Sequence, residues 1–221
     1  MVLLAELESV FPRTFLAFTE SDKKSLVGEF ARKFPTSLDT KQICGLFPFF
    51  LSSKKWADRG FVPDLAALEW SLRLAKAAPE IPESGFENVI TASEPQWFSA
   101  QFRFDPAHAV MVSDWPLDEV CAHPQNEHQR SPGKFLIYRT RGESQVRRIE
   151  TNEANLIEAL SLGVPLGVIL DRPGGPEFDA FLFHEWIQSG LLREIRWSQN
   201  CESIEPTEGS VENEVSVEVF H

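Results

Sequence analysis

The chain has 221 residues, 43% of them hydrophobic, which is enough for one large domain or two small ones with a real core. Its formal charge of −12 opposes general attraction to nucleic acid or to an anionic membrane. The imbalance is uneven: residues 1–80 carry 11 basic and 10 acidic side chains, and residues 81–221 carry 10 and 23, so a DNA surface stays open only in the first part.

No apolar run is long enough to span a bilayer, and the opening MVLLAELESVF is too short and too acidic for a secretory signal, so a cytoplasmic location is expected. Cys44, Cys121 and Cys201 have no metal-site spacing, and their odd number argues against a disulfide scaffold.

In chain order, Leu3, Leu4, Leu7, Val10 and Phe11 repeat at helical spacing, and Pro12 ends or kinks that helix. Ser21 is the expected cap of a second helix with Leu26, Val27, Phe30 and Ala31 inward, ended by Pro35. Asp39 or Thr40 caps a third, with Ile43, Leu46, Phe47 and Phe50 on its inner face. The run Leu46–Leu51 contains Pro48 and reads as core between helices. Ser52–Gly60 is a polar connection carrying Lys54, Lys55 and Arg59, the cations that an alternative DNA-binding reading would use.

Phe61–Ala78 is the strongest helix, with Leu65, Leu68, Leu72 and Ala75 on one stripe and Pro63 suited to the first turn. Asp64 and Glu69 lie on or beside that stripe. Five residues apart, they are about 500° around the axis and do not stack on one face. Glu69 is either an exposed residue offset from the core or a carboxylate bonded to a neighbouring helix or a partner.

Residues 81–96, within a stretch rich in proline and glycine, form the expected linker between a helical domain, 1–80, and a mixed domain, 97–200. Beyond it, Phe98, Ala100, Phe102 and Phe104 alternate with polar residues as in a half-buried strand. Ala109–Val112 is a second strand, and Trp115-Pro116 opens a short helix. His123 and His128 read as loop histidines, not metal ligands. Phe135–Tyr138 and Gln145–Ile149 form a hairpin about a Gly142-Glu143 turn, and Arg139, Arg141, Arg147 and Arg148 around it either bind an acidic partner or, as the favoured reading has it, pair locally with Glu143 and Glu150. Thr151 or Asn152 caps a helix that Gly163 ends, with Glu153 favouring its first turn electrostatically.

Val164–Leu170 is helix or strand; Phe178–Gln188 is an amphipathic helix with Phe181, Leu182, Trp186 and Ile187 apolar; Leu191–Trp197 is a strand. Residues 201–221 hold six acidic side chains and no basic one, and read as a disordered acidic tail. The fold class is therefore α+β, a helical bundle followed by a smaller mixed domain with antiparallel strands. No catalytic set, cofactor motif or metal cluster emerges; RPGGP at 172–176 lacks the lysine of a phosphate loop.

The block Val62-Pro63-Asp64-Leu65-Ala66 with Leu68-Glu69-Trp70 resembles the signature of the DUF2063 family, which is named for a DNA-binding domain. Phe11-Pro12, Phe47–Leu51, Trp115-Pro116, Tyr138-Arg139 and Trp186–Leu192 follow in the family's order, covering roughly residues 3–197. Only ten residues precede Phe11, where the family has an earlier helix and a Tyr-Arg-Asn segment. The resemblance implies a non-catalytic partner of a DUF692-like barrel enzyme with iron, holding a small ribosomally made precursor peptide. It also implies that Asp64, Glu69, Trp70, Trp115, Tyr138 and Arg139 bind that partner. DNA binding by the N-terminal helices is the alternative, and no membrane is involved.

Overall fold

The computed structural model describes residues 2–34, 39–56, 59–177 and 179–197. The acidic tail foreseen at 201–221 lies outside them. The architecture is α+β: five helices lead, and a region of short helices and antiparallel strands follows.

Helix α1 (Val2–Val10) stops before Pro12, which starts the short helix α2 (Pro12–Leu16) instead of merely ending the first. Helix α3 (Glu20–Lys33) is capped by Thr19, not Ser21, because Thr19 and Asp22 bond reciprocally: the Thr19 hydroxyl accepts from the Asp22 amide at 3.2 Å and the Asp22 carboxylate from the Thr19 amide at 3.4 Å. Asp39 caps α4 (Thr40–Ser52), accepting from Gln42 N at 2.8 Å. This helix runs straight through Pro48, so Leu46–Leu51 lies within a helix and not between two. An internal proline costs a helix about 3 kcal/mol. Burial of Phe47, Phe50 and Leu51 on one face offsets it, while Phe49 points to solvent.

Helix α5 (Val62–Ala77) is the axle of the molecule. One side packs on α1, α2 and α4, where Phe11, Phe15, Phe30 and Phe47 form a cluster of touching rings. The other side, with Leu68 and Ala75, packs on Phe135 and Ile137 of the following sheet. A third core, around Trp186, Phe183, Leu156 and Leu160, fills the rest of the second region.

That region opens with α6 (Glu94–Ser99), where a strand from Phe98 was expected. The period-two pattern loses to a local cap: Gln96 Oε1 accepts from Ser93 N at 2.7 Å and Pro95 sits in the first turn. The strand β1 (Gln101–Phe104) begins only after it and pairs antiparallel with β5 (Leu192–Arg196). A separate sheet has the order β2-β3-β4, from β2 (Ala109–Ser113), β3 (Gly133–Thr140) and β4 (Glu143–Ile149). The hairpin turn is Arg141-Gly142, one residue earlier than expected; both take positive φ, the conformation a two-residue hairpin requires.

Helix α7 (Leu117–Ala122) connects β2 to β3; α8 (Thr151–Ser161) follows β4, with Glu150 at its cap in place of Thr151 or Asn152. Val164–Leu170 resolves as a helix, α9 (Leu166–Leu170), and α10 (Ala180–Gln188) precedes β5. On α10 the buried pair is Phe183 and Trp186; Phe181 is 82% exposed.

The arginines of the hairpin do not pair with Glu143 and Glu150. Arg147 binds Glu153, which stands in the first turn of α8 as expected but is buried there and also accepts from Trp186 Nε1 at 3.0 Å. Arg148 donates to the carbonyls of Ser131 and Pro132, and Glu143 pairs with Lys76 of α5. Arg139 is buried beside Asp105, which also receives Arg193 at 3.0 Å.

The segment 81–96 is tied down along β5. Ser84 donates to Arg193 O and accepts from Ile195 N, and Trp197 Nε1 donates to Gly85 O at 2.7 Å. Gly85 has φ +79, and a Cβ there would overlap the Ile195 carbonyl. Gly85→Ala is expected to destabilise the fold by on the order of 3 kcal/mol, left-handed strain plus a backbone clash. Gly142→Ala, where φ is +80 but the space is open, is expected to cost only about 1 kcal/mol. Urea denaturation of both variants checks the contrast.

Candidate docking groove

Five of the six side chains expected to meet a partner are spent on the seam that α5 makes with its neighbours. Glu69 is buried, and its carboxylate accepts from Arg13 N at 2.8 Å, from Thr14 N at 2.9 Å and from Thr14 Oγ1 at 2.7 Å. Helix α2 has Phe11 at its cap position, a residue with no side-chain acceptor, so a carboxylate 55 residues away satisfies its first amides. Of the two readings of Glu69, the bond to a neighbouring helix is the observed one. Asp64 accepts from Ser113 Oγ at 2.6 Å, joining α5 to β2. Trp70 lies against Gly45 of α4 and Phe11. Trp115 covers Gly60 and Phe61 and lies under Arg130. Arg139 donates to the carbonyls of Ala78 and Pro79, closing the C-terminal end of α5. The sixth, Tyr138, is half-buried on the sheet with its hydroxyl 3.4 Å from Gln145.

Burial pushes the Glu69 carboxyl above its ordinary range, against the pull of its three hydrogen bonds; burial also raises Asp64, opposed by Ser113. A raised folded-state pKa means that the folded chain holds the proton to higher pH than the unfolded one. Stability from this group is then fully present below the unfolded pKa and declines as pH rises through the folded pKa.

The cations of the DNA reading are mostly engaged. Lys54 pairs with Glu29 and lies 5.0 Å from the Phe50 ring centroid, and Arg59 donates to Ala17 O; Lys55 is exposed. They line an open cleft together with Asp22 and Glu29. Among the described residues no group of three or more His, Cys, Asp or Glu is arranged to hold a metal ion.

The open apolar surface lies elsewhere. Helices α6, α9 and α10 enclose a groove of about 620 Å³, walled by Trp97, Phe98, Leu166, Leu170, Phe183 and Ile187. Its polar lining is confined to Glu94 and His184. Phe98 packs on the bare backbone of Gly167 and is still 41% exposed. Phe181, beside the groove-facing residues of α10, is 82% exposed, and Ile90, next in sequence to the lining residue Val89, is 95% exposed. An apolar groove with an exposed aromatic in its wall marks an interaction site. The sequence signal for it was available: α10 carries large apolar side chains on more than one face, which a helix with a single buried side does not need. Taking Phe98 for a strand residue hid the other wall.

No protein-family model matches the chain, and no curated protein matches it either.

Glu69→Ala is expected to lose about 2–4 kcal/mol of stability by stranding the α2 donors, with Glu69→Gln milder. In Glu69→Gln the decline of stability with rising pH above the ordinary carboxyl range is expected to flatten, as denaturant titrations across pH would reveal. The native chain is expected to raise anilinonaphthalene sulfonate fluorescence, less so after Phe181→Glu or Phe98→Ser.

Proposed function

We propose that this chain is a non-catalytic partner subunit, which holds another polypeptide in the groove between α6, α9 and α10. The observation that carries the reading is the apolar groove itself, walled by Trp97, Phe98, Leu166, Leu170, Phe183 and Ile187 with two polar lining residues, and with Phe98 left 41% exposed in its wall. Aromatic anchors beside a preformed pocket are where protein interfaces concentrate their binding energy. The likeness to DUF2063 sequences suggests the partner to try first: a DUF692-like barrel enzyme with iron, acting on a small cysteine-bearing precursor peptide. The groove seats the enzyme. The outer edge of β4, which ends the three-stranded sheet, offers main-chain bonds to an extended peptide.

The alternative, DNA recognition by the N-terminal helices, has no comparable support, since Lys54 and Arg59 already have intramolecular partners. The test is co-purification of the full chain with a DUF692-like enzyme. A complex at micromolar concentration is expected, weakened about ten-fold or more by Phe98→Glu, the loss of one anchor worth about 1.4 kcal/mol. Absence of a complex, or one indifferent to Phe98→Glu, overturns the reading.

A further inference from the structure

We infer that the groove takes an amphipathic helix whose apolar stripe is flanked by lysine and arginine. The inference rests on the docking reading and adds the chemistry of the occupant. Two observations carry it.

The first is the nature of the walls. No described residue lining the groove belongs to a strand; the walls are helical faces and the turn at Val89. Helix backbones spend their amides and carbonyls internally, so an extended peptide lying there would gain no main-chain ladder and would bury its own polar backbone unpaired. A helix arrives with its backbone already satisfied and offers apolar side chains at i, i+3, i+4 and i+7. The groove wall on α10 has the same spacing: Ala180, Phe183, His184 and Ile187.

The second is the charge at the rim. Glu94 is on the wall, Asp171 directly follows the lining residue Leu170, and Glu87 lies two positions before Val89; all three are exposed. None of the three forms an ion pair among the described residues. Arg172 is the neighbouring cation, so the rim carries an excess of negative charge. An apolar slot with acidic borders attracts a basic helix and repels an acidic one of the same shape.

The experiment uses the full chain and synthetic helices of about 18 residues, five turns. One has leucines at i, i+3, i+4 and i+7 with lysine elsewhere, a second has the same leucines with glutamate elsewhere, and a third has the leucine–lysine composition scrambled. Fluorescence anisotropy is expected to give the leucine–lysine helix an affinity about ten-fold or more above the other two. That affinity is expected to fall at moderate salt, and to fall in Phe98→Glu and in the triple variant Glu87→Lys, Glu94→Lys, Asp171→Lys. These positions are exposed, so the variants leave the core intact. Equal binding of the leucine–glutamate helix overturns the inference, as does failure of the leucine–lysine helix to bind. Binding that ignores Phe98→Glu also overturns it, because attraction to an acidic surface alone would explain it. A chain that co-purifies with the barrel enzyme but fails this test keeps the docking reading and loses the basic-helix occupant. A chain that passes it without binding the enzyme keeps the occupant and loses that enzyme as partner.

Discussion

The carboxylate of Glu69 is the contact on which the placement of the N-terminal helices depends. It sits in the middle of α5, with apolar residues on both sides of it, and reaches across to the amide end of α2. A buried anion is costly, and here it is tolerated because three donors converge on it and because α2 presents the positive end of its peptide dipoles. The same bonds hold Phe11 and Phe15 at the angle where their rings meet Phe47. The order of dependence runs from one hydrogen-bonded carboxylate to a ring cluster, and from that cluster to the orientation of the bundle.

The second region repeats the device with charge pairs. Asp105 lies between Arg139 and Arg193, and through Arg139 the last carbonyls after α5 are joined to β3 and β5. Glu153 ties α8 to β4 through Arg147 and to α10 through Trp186. Buried pairs of this kind return little net stability against desolvation, but removing one member strands the other. They fix which elements are neighbours. α5 is consequently shared: its Leu68 and Ala75 belong to the core beneath the sheet while Leu65 and Ala66 belong to the helical core.

With so many polar and aromatic side chains committed inward, the slot between α6, α9 and α10 stands out among the described residues as an apolar hollow that remains open. It lies on elements that the ionic clusters position without filling. Trp97 is wedged between Phe102, Phe183 and Trp197, so the groove floor is rigid aromatic packing. Phe98 in its wall remains partly in solvent. A rigid floor with exposed margins suits a site that binds without ordering itself first.

The sequence by itself determined the helices with strong stripes or caps, the existence of strands about Ala109–Val112 and Phe135–Tyr138, and the succession of a helical region by a mixed one. These are legible because period and capping are properties of neighbouring residues. Tertiary structure decided the rest. Nothing within a few residues decides between the two readings of Glu69 or says what Trp70 meets; their contacts are 25 to 59 positions away. Phe98 looked like a strand residue because alternation is ambiguous where a capping box overlaps it. The groove was invisible for a related reason. A local pattern records whether a side chain is apolar, but burial depends on whether another element arrives to cover it. Over Phe98 and Phe181 none of the described elements completes the cover.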